Sequence, residues 1–104
     1  MKTMESLNKI EIRGRIGSIN KTTIGDSQMA RFSVAVDDIY DNGGDRFVET
    51  TWFLVTAFEG EKIDLSHLER GDEVYVLGRL RIREFTGADG VQRKSVEVIA
   101  REVR

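Results

Sequence analysis

The sequence predicts an all-β domain with one short helix, built as a small five-stranded barrel, and three observations carry that prediction. Apolar residues recur at every second position over most of the chain, the period of a strand with one buried face. Turn signals of the Asn-Gly and Asp-Gly kind, DNGGD at 41–45 and ADG at 88–90, punctuate the alternating stretches. Only one segment breaks the alternation in a helical direction, and 104 residues are the size of one ordinary domain, taken as 1–104.

From Lys9 to Ile16, Ile10, Ile12 and Ile16 share one parity while Lys9, Glu11, Arg13 and Arg15 share the other, which predicts a half-buried first strand. A loop is expected over 18–29. Phe32, Val34 and Val36 define a second strand within Ala30–Val36. The third runs from Phe47 to about Glu59, with Phe53, Val55 and Ala57 as its core face and Trp52 and Phe58 on the opposite parity. Between Glu61 and Arg70, Ile63, Leu65 and Leu68 suggest one apolar edge of a short helix stopped by Gly71. Strands four and five are expected at Glu73–Arg83 and Ser95–Val103. Five strands with a short helix between the third and fourth is the order of an OB-fold, a Greek-key barrel whose exposed face commonly binds single strands or oligosaccharides. An SH3-like barrel is the architectural rival.

The net charge of -2 is unevenly distributed: residues 1–31 carry +3, 32–58 carry -4, 59–78 carry -4 and 79–104 carry +3. With no cysteine there is no disulfide framework, thiolate metal site or cysteine nucleophile, which suits a reducing compartment. The opening MKTMESLNK lacks the apolar run of a secretory signal, and no later run approaches membrane-spanning length, so a cytoplasmic protein without membrane attachment is expected.

An enzyme is hard to assemble from these residues. The single histidine, His67, has no cysteine or paired carboxylate nearby, and no phosphate loop, nucleophile elbow or zinc spacing occurs. Asp38, Asn42, Gly43 and Glu49 occupy positions one, five, six and twelve of a calcium loop, but Tyr40 sits at position three and the flanks alternate as strands, so a hairpin is the better account. No catalytic residue, metal or cofactor is predicted. The aromatics say more. Trp52, Phe58 and Phe85 each lie opposite their strand's apolar set, and Arg79, Arg81 and Arg83 share the parity of Phe85 in GRLRIREF, residues 78–85. Taken singly, an outward ring suits an oligomer interface or the cover of a capping loop. Together, rings and guanidiniums suit a platform on which bases stack while the cations follow the phosphates.

Five segments in order, NKIEIRGRIG (8–17), ARFSVAV (30–36), TTWFLVTAF (50–58), RGDEVYVLGRLRIREFTG (70–87) and VEVIAREV (96–103), resemble the OB domain of the bacterial single-stranded DNA-binding protein family. The resemblance spans nearly the whole chain. It implies a sequence-tolerant binder of single-stranded DNA acting in replication, recombination or repair. It places the four base-stacking positions on Tyr40, Trp52, Phe58 and Phe85, of which alternation alone does not supply Tyr40. It further implies a homo-oligomer, a tetramer or a dimer, that pairs first strands across a two-fold axis. The chain departs from the family pattern at Phe53, Leu54, Gly60, Asp41 and Glu84, where relatives often carry basic or polar groups, so weaker and more salt-sensitive binding is expected. The acidic C-terminal tail by which relatives recruit replication and repair proteins has no counterpart before Arg104, which implies a shortened chain or a tailless relative. The competing reading is an OB-fold protein-interaction module, a primosomal accessory or mobile-element paralogue, favoured by the acidic middle. RNA is a further candidate ligand, because stacking does not sense the sugar hydroxyl.

Overall fold

The computed structural model describes residues 3–104. Five strands, β1 (Ile10–Ile24), β2 (Ser27–Asn42), β3 (Asp45–Phe58), β4 (Glu73–Thr86) and β5 (Gln92–Val103), close into a barrel in the order β1-β2-β3-β5-β4. Every contact in the barrel is antiparallel except the closing one, where β3 and β5 run parallel for two residue pairs, Val55 with Val98 and Thr56 with Ile99. The core is the set that alternation marked: Ile12, Ile16, Phe32, Val34, Val55, Ala57, Val74, Val76 and Val98 are buried, with Ile63, Leu65 and Leu68 beneath them. This is the expected five-stranded OB-fold order, with a different account of three segments.

The strands are much longer than alternation suggests. Residues 18–29, expected as a loop, are a hairpin ladder from Ser18–Ser33 to Ile24–Ser27. Its tip, residues 20–28, is exposed on both faces, so no buried set repeats at every second residue there to announce the strands. The β2–β3 hairpin likewise projects past the barrel to Asn42 and Asp45, and within it Asp38 lies directly opposite Glu49. The calcium-loop spacing is thus a by-product of a ladder. The third arm is the far half of β4 and β5. β4 loses its β1 neighbour after Gly78, which pairs with Ile10, and continues beside β5 alone to Thr86. Leu80 and Ile82 keep the parity of the core residue Val76, yet Ile82 is 64% exposed, because there is no barrel behind the arm to receive it.

The predicted helix over 61–70 is instead a single 3₁₀ turn, Leu65–His67. Asp64 captures the Ser66 amide with its side chain at 3.0 Å, Gly60 and Ile63 exchange backbone hydrogen bonds, and the Lys62 carbonyl accepts from Val103. Each of these takes a backbone group that a helix would need. Leu65 and Ile63 are buried all the same, plugging the barrel end. At Gly78, where the β4–β5 register shifts, a Cβ would collide with the Ile99 carbonyl, so only glycine permits the strands to approach this closely. Among the described residues no helix is long and apolar enough to cross a membrane.

Candidate nucleic-acid interface

β3 buries Val55 and Ala57 on its inner side and exposes Trp52, Leu54 and Phe58 on its outer side, where Thr56, though of the same parity, is covered and only 4% exposed. Register carries that surface across its neighbours. On β2, Ala35 lies opposite Trp52, Arg31 opposite Thr56 and Met29 opposite Phe58. Across the parallel seam, Glu97 and Ile99 of β5 share the same side, since Val98 between them is buried. β4 then sets Arg79 opposite Ile99, Arg81 opposite Glu97, Arg83 opposite Ser95 and Phe85 opposite Arg93. The barrel therefore gathers three of the four expected rings, Trp52, Phe58 and Phe85, on one face with all three expected arginines. Trp52 is 60% exposed and the other two rings are about half exposed. Six residues of extended strand separate Trp52 from Phe58, about 20 Å.

Tyr40 is placed differently. It shares the parity of Val34 and Val36, on the β2–β3 arm, five residue pairs and about 17 Å beyond Trp52. There its ring stacks on Phe47, centroids 5.6 Å apart and planes 23° from parallel. Along the arm Tyr40 and Phe47 thus occupy the alternate face from Trp52, and Phe47 adds a ring that the sequence reading did not select.

Trp52 owes its pose to Gly17, at an irregularity in β1 between Ile16 and Ser18. A Cβ on Gly17 would run into the six-membered ring of the indole, approaching Cζ3 and lying 2.8 Å from Cη2, with Ser33 Oγ at 3.1 Å. The indole thus lies against bare backbone. No sequence pattern marks this contact, which joins residues 35 positions apart.

The arginines are not equivalent. Arg79 and Arg83 form no salt bridge among the described residues, and neither does Arg31, an exposed cation beside Thr56 between the levels of Trp52 and Phe58. Arg31 could have been found in the sequence, because its parity is opposite to that of Phe32 and Val34. Arg81, by contrast, donates from Nε to Glu97 Oε1 at 2.8 Å, with Nη2 at 2.5 Å from the same oxygen. The other carboxylate oxygen accepts from Thr56 Oγ1 at 3.1 Å. Glu97 is only 3% exposed, although it faces outward. Burial pushes its carboxyl up, but the hydrogen bonds from Arg81 and Thr56 and the charge of Arg81 outweigh that and hold it below its ordinary value. No buried side-chain polar atom among the described residues lacks a partner. Of the departures noted in sequence, Phe53 packs against the core and Leu54 is an apolar member of the outer face.

Comparison with known proteins gives the family and the fold. The model of the single-strand binding protein family matches residues 7–104. The single-stranded DNA-binding protein of Neisseria meningitidis serogroup A is 31% identical over 104 residues, covering 95% of this chain and 59% of that protein. That of Xanthomonas axonopodis pv. citri is 34% identical over 103 residues, covering 94% and 57%. The chain thus spans somewhat under two thirds of the length of these bacterial relatives. Among solved structures, the Plasmodium falciparum SSB in complex with ssDNA has the same fold, with a TM-score of 0.81 over 99% of this chain and 96% of that one at 24% identity. The small single-stranded DNA-binding protein of Streptomyces coelicolor follows at 0.73, over 97% and 94%, also at 24%. The chain belongs to the single-strand binding protein family.

Proposed function

We propose that this protein binds single-stranded DNA without reading its sequence, stacking bases on Trp52, Phe58 and Phe85 and holding phosphates with Arg79, Arg83 and Arg31. The observation that carries the reading is the co-location of three exposed rings and these cations on one outer face of the barrel. A π-face is common to all four bases, so such a platform grips any sequence. Tyr40, stacked on Phe47 on the alternate face of the β2–β3 arm, offers a separate stacking site for a strand that wraps around that arm. The work is binding rather than catalysis, and replication, recombination and repair are the processes that expose its ligand. Quenching of Trp52 fluorescence by oligo-dT tests the reading. An unquenched, folded protein would reassign the rings to contact with a polypeptide.

Assembly forms part of the proposal. β1 pairs with β4 over Ile10–Arg15 and with β2 only from Arg15 onward, so one edge of Ile10–Gly14 is open. Beside it Tyr75 donates to Glu11 at 2.7 Å, with the guanidinium of Arg104 4.5 Å and that of Arg13 5.9 Å from its ring centre. Pairing of two such edges about a two-fold axis would satisfy the open backbone groups and bring charges of opposite sign together. The protein accordingly works as a homo-oligomer, a dimer built on this edge or a tetramer made from two such dimers.

A further inference from the structure

Arg81 stands in the middle of the outer face, yet its cationic charge is already answered. Two of its donors reach Glu97 Oε1, and Glu97 in turn is held by Thr56 across the two-pair parallel seam between β3 and β5. The carboxylate is almost wholly buried, whereas the arginine side chain remains 41% exposed. A guanidinium bound to an immobile carboxylate has little left to gain from a phosphate, because approach of the phosphate would set two anions on one cation. It keeps a flat, weakly hydrated surface fixed in orientation, of the kind on which a base stacks. Phe85 lies four residues further along the same side of β4, and Arg83, unpaired between them, remains free for the backbone.

Resting on the single-strand reading above, we propose that Glu97 and Thr56 are positioning residues that turn Arg81 from a phosphate-binding cation into a fixed, charge-compensated plane on which a base stacks. The outer face then holds its ligand with two kinds of arginine: Arg79, Arg83 and Arg31 release counterions, and Arg81 does not.

The two roles differ in salt dependence, since each phosphate contact on a single strand contributes roughly 0.7 to the slope of log K against log salt. The test is oligo-dT binding across a salt series by the full chain, its Glu97→Gln variant and the Arg81→Gln/Glu97→Gln double variant. The double variant removes both charges together and so leaves no unpaired ion in the seam. It is expected to keep the parent slope while losing affinity by about two- to thirtyfold, the range for a stacked cation. Glu97→Gln frees the guanidinium and is expected to steepen the slope by about 0.7. A double variant with a slope shallower by about 0.7 would make Arg81 a phosphate ligand and overturn the proposal. Unchanged slope and affinity in both variants would reduce the triad to a strand staple and overturn it equally. If the unsubstituted protein failed to bind oligo-dT at low salt, the single-strand reading itself would fall instead.

Discussion

Trp52 is the only tryptophan of the chain, so one substitution removes one proposed stacking ring and the spectroscopic reporter together. Trp52→Ala should weaken oligo-dT binding by about 1–3 kcal/mol with no change in sequence preference, because stacking rather than base-edge recognition is lost. Gly17→Ala is the subtler probe. Its methyl must displace the exposed indole rather than the backbone, so the thermal midpoint should barely move while binding falls toward that of Trp52→Ala. Native affinity in Gly17→Ala would show that the pose of the ring is immaterial. Glu97 supplies a pH signature. Its folded-state pKa lies below the ordinary 4.5, so the ionised pair stabilises the fold fully above that value, and the contribution disappears as pH falls through the folded value. Denaturant midpoints taken from about pH 6 to about pH 3 should fall for the parent and fall less for Glu97→Gln. Alternation alone placed Trp52, Phe58 and Phe85 on the outer side, where they are exposed. It could not identify Glu97, because an outward-facing carboxylate has the sequence signature of a solvated surface, and its burial depends on Arg81 and Thr56 from two other strands.

At the scale of elements, the barrel was legible and the arms were not. Inside the barrel a strand has one dry and one wet face, and the contrast writes itself into the sequence, as with Ile10, Ile12 and Ile16 in β1. Past the barrel both faces are wet. Residues 18–29 therefore read as a loop, and Ile82 keeps the parity of the core although the arm leaves it exposed. The segment 61–70 misled for a related reason: its three leucines and isoleucines are buried by plugging the barrel end, not by helical spacing. The β4–β5 arm carries Arg79, Arg83 and Phe85, which makes it the element whose charges should be felt by the DNA backbone. Arg79→Ala and Arg83→Ala should each weaken binding to every sequence alike and lower the salt slope by roughly 0.7. An unchanged slope in both would assign the arm to another task.

For the whole molecule, the distribution of charge matters more than its sum. A chain of net charge -2 attracts DNA only through local cation clusters, so affinity should be modest and fall steeply with salt. Self-association is the other whole-molecule expectation. Sedimentation at micromolar concentration should find an oligomer, and a uniform 11.8 kDa species that still binds single strands would remove the open edge of β1 from the account. Family membership was legible from five short segments because they are the strands that close the barrel; oligomeric state was not, since it depends on which faces meet a second copy. The most direct test of the central claim is the fluorescence of Trp52 titrated with oligo-dT across a salt series. The account predicts strong quenching at low salt that titrates to saturation and is lost as salt rises. Fluorescence that stays constant at low salt, in a protein shown to be folded, would contradict it.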